Sequence, residues 1–278
     1  MALDQVDVDK MNDEAEMSFL DHLEALRWHL VRSVVAVVVI TVVVFTAKDY
    51  LMFVLNWVQK DDFPTYRFFC WMSEATCFSP PAFTMDVKAM PEAFLTHIRA
   101  SVIFALILAF PYIFWEIWRF VKPALHKNEL KAARGIVFSC STLFLSGVLF
   151  GYFVICPFAV TFLANYDFLG AEFEPNLSDY VSSIIIFTFP TGLVFQLPVV
   201  VYFLSKVGLM TPEFLKTYRR HSMIIILVLA AIVTPPDVVT QFLIGIPLFG
   251  LYEASIIISR RVIKNAEAKE KMEMISKN

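Results

Sequence analysis

Charged residues are scarce in this chain. Asp, Glu, Lys and Arg make up 18% of its 278 residues, against 58% hydrophobic and 15% aromatic residues, and the mean hydropathy is +0.65. A soluble domain of this length does not need so much apolar surface for its core. The composition therefore excludes a soluble domain and predicts an integral membrane protein.

Several other features are missing as well. No basic patch accompanies a readable nucleic-acid-binding motif, so we expect no nucleic-acid partner. Residues 1–20 hold six acids and one Lys, which is the opposite of the positive region that opens a cleavable signal peptide. We find no internal repeat, no set of metal ligands and no nucleophile with a base. The sequence therefore predicts no metal, no cofactor and no enzymatic activity.

A charged amphipathic segment runs directly into an apolar one between Met17 and Val37. Its apolar residues recur at steps of three and four, as on a helix with one apolar stripe; they are Phe19, Leu20, Leu23, Leu26 and Leu30. From Ser33 to Ala47 there is no charge. The helix must therefore enter a bilayer with a cluster of ionisable side chains at its threshold, where we expect the functional site.

Six spans of an all-α membrane protein follow from the apolar stretches. We place them at about residues 30–50, 93–120, 135–163, 180–204, 222–234 and 238–257, within a membrane domain from 18 to 261. Residues 1–17 form an acidic tail and residues 262–278 a charged tail. Helices five and six are short and make a hairpin at Thr234-Pro235-Pro236-Asp237. Prolines in most of the other spans predict a curved, concave, glove-shaped bundle.

The distribution of Lys and Arg predicts the orientation. These residues concentrate before span one, between spans two and three, between four and five, and after six, whereas the loop from Ala164 to Asp179 has none. The positive-inside rule then places both termini in the cytoplasm. We expect a multi-pass protein of the inner membrane. Cys70 and Cys77 then lie outside, where they form either a disulfide or two free thiols.

Four polar residues near or within the spans need partners. Gln196 lies deep in span four and must face protein or water, either in an interhelical hydrogen bond or in a binding surface. Glu116 and Glu253 lie near the inner boundary, where we expect them to be solvated or paired with Arg. Glu129 stands in the loop between spans two and three and by itself is expected to be a solvated loop acid.

Four motifs, in this order along the chain, resemble the TatC family, the core subunits of the twin-arginine protein translocase. They are His22-Leu-Glu-Ala-Leu-Arg27, Trp118-Arg-Phe-Val-Lys-Pro-Ala-Leu125 with Glu129, Phe195-Gln-Leu-Pro-Val199, and Thr234-Pro-Pro-Asp-Val238 with Gln241. Each is weak alone, but the ordered set is specific and covers residues 18–261.

The resemblance implies a receptor for the twin-arginine signal peptides of folded proteins, in a homo- or hetero-oligomeric complex with TatA- and TatB-type single-span partners. Translocation would be driven by the proton-motive force. The signal-peptide site would comprise Glu24 or Asp21, Arg27, Phe120, Glu129 and Gln196. The surface for partner subunits would comprise Thr234, Pro235, Pro236, Asp237 and Gln241. Planar carboxylates suit paired guanidiniums, because each can accept two parallel hydrogen bonds.

The chain departs from the family pattern at one position. Where the family motif His-Leu-x-Glu-Leu-Arg has its Glu, this chain has Ala25, and Glu24 stands one residue earlier. One step turns a helix by about 100°. Asp21, four residues before Ala25, lies on the same face as Ala25, so either Glu24 or Asp21 is the first-motif acid.

A secondary transporter or channel is the alternative function. Such a protein would need ionisable residues near the midplane of spans two to five, where this chain has almost none. A membrane enzyme would need a nucleophile or a metal cluster, which the sequence does not offer.

Overall fold

The computed structural model describes residues 19–74, 77–81, 83–121, 133–166, 174–233 and 238–277. Its helices are α1 Phe19–Thr46, α2 Lys48–Trp57, α3 Pro64–Met72, α4 Glu92–Val121, α5 Ala133–Phe150, α6 Cys156–Ala164, α7 Leu177–Val194, α8 Leu197–Lys206, α9 Pro212–Thr217, α10 Arg219–Val233 and α11 Val238–Lys277. Within these ranges the only extended pairing is an isolated bridge between Asp86 and Asn176. The predicted all-α class is confirmed.

Five helical stretches of the described chain are long and apolar enough to cross a membrane. They are Glu24–Thr46, Glu92–Phe120, Gly135–Ala164, Leu177–Lys206 and Gln241–Asn265. Helix α10 has 15 residues, which span about 22 Å and fall short of a bilayer core of about 30 Å. The prediction of a short fifth helix is confirmed, whereas the prediction of a short sixth helix is wrong, because Gln241–Asn265 alone has 25 residues. Helix α11 continues beyond its apolar part to Lys277, so the charged segment after residue 261 is helical.

Prolines lie inside the long helices or next to their interruptions. Pro111 lies inside α4 and Pro190 inside α7, and a π-helical turn at Gly151–Ile155 separates α5 from α6 just before Pro157. The fourth span is two helices rather than one. Helix α7 ends at Val194 and α8 restarts at Leu197, because Pro198 cannot donate a backbone hydrogen bond to the preceding turn.

The segment between the first two spans folds back as a cap on the third and fourth spans. Leu55, Val58 and Phe63 are almost fully buried in the same apolar cluster as Ile155 and Ile184. Tyr66, in α3, donates its hydroxyl hydrogen bond to the carbonyl of Val58 at 3.0 Å, and its burial raises the pKa of the phenol to about 12. Apolar burial and a hydrogen bond from a side chain to a backbone carbonyl therefore hold this loop in place.

Two tyrosines of the spans satisfy carbonyl groups at the end of α2. Tyr152 donates to the carbonyl of Val54 at 2.5 Å and Tyr180 donates to that of Leu55 at 2.9 Å. The last carbonyls of a helix have no partner within the helix. These hydroxyl groups therefore attach the cap to the membrane-spanning helices, and they supply hydrogen-bond donors for carbonyl groups at the end of α2.

Helix α1 stands on one side of the bundle and packs mainly against α4. The ring of Phe45 stacks on His97 of α4, with centroids 4.2 Å apart, near one end of the pair. Between the ends, Val34, Val38 and Val42 are each more than half exposed. These side chains form an apolar face suited to lipid, whereas Ser33 is buried and Val37 and Val44 are partly buried.

Candidate functional site

The cluster of ionisable residues predicted at the threshold of the first span lies where α1 meets the carboxyl end of α4. The His29 ring contacts the Phe120 ring edge to face, with centroids 6.3 Å apart. Nδ1 of His29 lies 2.5 Å from Oε2 of Glu116, although the two residues are 87 positions apart in the chain. This contact places the predicted residue Phe120 beside the first helix.

Glu116 is paired but not solvated. Its side chain is 1% exposed, and besides His29 its carboxylate has Arg119, whose Nη1 lies 3.6 Å from Oε1. Arg119 in turn stacks over the indole of Trp115, 4.8 Å from the ring centroid. Glu116 was expected to be either solvated or paired, and it is paired. It is not solvated, because the packing of α1 on α4 covers the carboxylate.

The first-motif residues occupy the outer part of the same junction. Glu24 and Arg27 are exposed, and Ala25 is half-buried. Asp21 belongs to α1, but its side chain lies outside the described part of the structure, and Glu129 lies outside the described residues altogether. The contacts of these two acids therefore stay predictions.

Gln196 lies at the break between α7 and α8. Its Nε2 donates to the carbonyl of Cys140 on α5 at 3.1 Å, and its Oε1 is buried without a hydrogen-bond partner among the described residues. A cavity of about 380 Å³ opens next to this contact, with Cys140, Leu143 and Pro198 in its wall. Of the two roles left open for Gln196, the interhelical hydrogen bond is present, and one acceptor remains for a ligand or water.

Helices α10 and α11 form the predicted hairpin. Gln241 donates from Nε2 to the carbonyl of Leu227 at 3.2 Å, and Nη2 of Arg219 lies 2.5 Å from Oε1 of Glu253 at the other end of the pair. Thr234, Pro235, Pro236 and Asp237 lie outside the described residues. One contact at the start of α10 and one near its middle thus join it to α11.

The two faces of α11 differ in exposure. Ile244 and Leu248 are 2% and 3% exposed, whereas Phe242 and Ile246 are 57% and 69% exposed. The exposed face is apolar and lies beside the short helix α10. Phe242 in this face directly follows Gln241, which is the described residue of the surface predicted to contact partner subunits.

Cys70 and Cys77 are joined by a disulfide, with their Cα atoms 4.0 Å apart. Cys70 is in α3, so the bond ties the end of this cap helix to the residues that follow it. Cys140 and Cys156 are free thiols and fully buried, in keeping with packing roles.

His29 is the residue that the sequence motifs did not single out. One signal for it was present, since His29 is four residues after Ala25 and so lies on the same face of α1, one turn along. Its partner Glu116 is four residues before Phe120. Neither spacing reveals that the two residues meet, because that depends on how α1 lies against α4.

The fold and these contacts define a multi-pass helical membrane protein with a polar junction at one end of its first two spans. The family model described as Sec-independent protein translocase protein (TatC) matches residues 21–247. A TatC protein of Blattabacterium sp. subsp. Periplaneta americana is 38% identical over 264 residues, covering 91% of this chain and 98% of the relative. The TatC protein of Campylobacter jejuni is 34% identical, covering 90% and 96%.

Solved structures agree with the sequence matches. A crystal structure described as the twin arginine translocase receptor TatC superimposes with a TM-score of 0.67 at 30% identity, covering 87% of this chain and 99% of that one. A second, in the detergent DDM, gives a TM-score of 0.68. The chain belongs to the TatC family of Sec-independent protein translocase proteins. It is therefore a membrane subunit of a protein translocase and not an enzyme, and the alternative of a secondary transporter or channel is set aside.

Proposed function

We propose that this protein is the receptor and core subunit of its translocase. It binds twin-arginine signal peptides of folded proteins at the cytoplasmic face of the inner membrane, where both of its termini lie. The observation that carries the proposal is the junction of α1 and α4, where the first-motif helix contacts Phe120 and buries an acid. The peptide's arginines pair with Glu129 and with Glu24 or Asp21, since planar carboxylates fit guanidiniums.

The apolar part of a signal peptide follows its arginine pair and enters the bundle. The free acceptor of Gln196 and the neighbouring apolar cavity support this path, because a buried amide oxygen gains by accepting a hydrogen bond. Gln196 cannot titrate, so it contributes a polar contact and carries no proton in this chain.

TatA- and TatB-type single-span partners bind at the hairpin of α10 and α11. The exposed apolar face of α11 and the shortness of α10 support this assignment, because a helix too short for the bilayer gains by covering its ends with partner helices. Thr234 to Asp237 and Gln241 are part of the same proposed surface. The assembled complex uses the proton-motive force to move its folded cargo.

Binding of a synthetic peptide with an Arg-Arg pair and an apolar stretch tests the receptor role. Full-length protein in nanodiscs is titrated with this peptide and with its Lys-Lys version. We expect the Arg-Arg peptide to bind about tenfold more tightly, since each mispaired carboxylate costs on the order of 1 kcal/mol at a partly wet surface. Equal affinities would remove the basis of the proposal.

A further inference from the structure

The deepest acid at the junction of α1 and α4 makes no contact with the peptide in the function proposed above. Glu116 is 1% exposed, and each of its carboxylate oxygens faces a basic side chain, His29 at 2.5 Å and Arg119 at 3.6 Å. A carboxylate removed from water is costly unless it is paired and hydrogen-bonded. Such a group is therefore kept paired at all times, either by the protein or by a ligand.

The position of Glu116 relates it to the missing acid of the first motif. His29 follows Ala25 by four residues, and Phe120 follows Glu116 by four, so each pair lies on one face of its helix, one turn apart. The helices α1 and α4 run in opposite senses at this junction, and His29 contacts both Glu116 and Phe120. The layer of His29 and Glu116 is thus one turn, about 6 Å, deeper than the layer of Ala25 and Phe120.

The two layers differ in how they present charge. Glu24 and Arg27 are exposed. Ala25, in the outer layer, has a small side chain at a position where a longer one would fill the space between α1 and α4. A long, flexible guanidinium side chain is able to reach past a small residue. The carboxylate it would meet one turn further in is that of Glu116, behind the ring of His29.

We propose that Glu116 is a further guanidinium-binding carboxylate of this receptor, occupied by His29 until a signal peptide arrives. One peptide arginine displaces the His29 imidazole and takes its place on the carboxylate, where the guanidinium, which is always charged, makes a charge-assisted hydrogen bond. This inference rests on the proposed receptor function. It assigns the exposed Glu24 to capture of the peptide and the buried Glu116 to its retention.

The kinetics of binding separate these two assignments. Exposed charges at a binding site change mainly the association rate and its salt dependence, whereas a buried charge pair changes mainly the dissociation rate. We therefore expect Glu116→Gln to speed dissociation of the Arg-Arg peptide by about tenfold, equivalent to about 1.4 kcal/mol, with the association rate unchanged. Glu253→Gln, which removes an acid paired with Arg219 on another helix, is the matched control and should leave both rates unchanged.

Substitution of His29 should change the dissociation rate in the opposite direction to substitution of Glu116. His29→Phe keeps a ring against Phe120 but removes the competing nitrogen, so it should slow dissociation several-fold. If His29→Phe does not yield folded protein, His29→Gln is measured in its place and the same direction is expected, because a neutral amide competes less well for the carboxylate.

A purely structural ion pair predicts a different result. In that case Glu116→Gln and both His29 variants would all weaken peptide binding, and the proposal would be overturned. It would also be overturned if Glu116→Gln released the peptide at the wild-type rate. If instead the wild-type protein bound Arg-Arg and Lys-Lys peptides equally, the receptor function itself would have failed, which is a separate outcome of the same measurements.

Discussion

The hydroxyl group of Tyr180 donates a hydrogen bond to the carbonyl oxygen of Leu55 at 2.9 Å, across 125 positions of the chain. Tyr180 is 4% exposed, and it comes from the start of α7, whereas Leu55 is near the end of α2. The bond therefore connects the cap to the spanning helices and satisfies a carbonyl that α2 cannot satisfy itself.

Removing this hydroxyl should destabilise the protein. Tyr180→Phe leaves the Leu55 carbonyl buried without its donor, which costs about 1–2 kcal/mol. The thermal unfolding midpoint of the detergent-solubilised protein should fall accordingly. Tyr218→Phe removes the same group from a side chain that is 47% exposed and should leave the midpoint unchanged. Equal midpoints for all three proteins would show that the cap does not depend on this bond.

Two glycines of the spanning helices should respond differently to substitution by alanine. A Cβ atom on Gly151 would lie 2.5 Å from the backbone oxygen of Phe187, whereas one on Gly250 would meet no atom within 4 Å. Gly151→Ala must push two helices apart and should cost about 1–3 kcal/mol. Gly250→Ala should be neutral or stabilising, by up to about 1 kcal/mol, because alanine favours a helix interior.

The same unfolding measurement checks both glycine variants. A midpoint for Gly151→Ala at or above that of the wild type would mean that α7 and the π-helical turn do not approach as closely as the structure indicates.

The disulfide provides a test of the proposed orientation. If the loop that holds Cys70 and Cys77 lies outside the cytoplasm, an impermeant thiol reagent should label intact cells only after mild reduction, because the two thiols are joined. Cys140 and Cys156 are fully buried and should not react. The variant Cys70→Ser, Cys77→Ser is the control. Labelling of the wild type that requires permeabilised cells would reverse the orientation.

The first-motif acids should act on peptide capture. The double substitution Asp21→Asn, Glu24→Gln should lower the affinity for an Arg-Arg peptide by about tenfold, chiefly through slower association. The loss should shrink at high salt, because exposed charges such as that of Glu24 are screened. Glu129→Gln should weaken binding by a similar factor. Wild-type affinity of the double variant together with weak binding by Glu129→Gln would exclude both first-motif acids from the site.

Partner contact at the hairpin should follow the exposure pattern of α11. Single cysteines at Phe242 and Ile246, which are 57% and 69% exposed, should cross-link to single-span partner subunits in membranes. Cysteines at Ile244 and Leu248, which are nearly fully buried, should not. Cross-linking from neither face would leave the hairpin facing lipid and would remove it as a partner surface.

Much of this architecture follows from the sequence because the bilayer imposes simple rules. Apolar run length determines which helices can span, so the short fifth helix is visible as a run of 11 apolar residues before Thr234. Proline positions predicted a curved bundle, but the break before Leu197 required the structure, since proline both kinks and ends helices. The ordered motifs indicated the family and the end of the molecule where the site lies.

The pairing of His29 with Glu116 was decided by the tertiary structure alone. A periodic pattern tells which residues share a face of one helix, but not which residue of another helix lies opposite, because that depends on the rotation and offset of two packed helices. The same holds for Tyr180 and Leu55, and for the acceptor that Gln196 finds on Cys140. The sequence by itself determined the spans and the membrane class, through local apolarity. The three-dimensional packing decided which polar groups are buried together, because burial depends on contacts between distant parts of the chain.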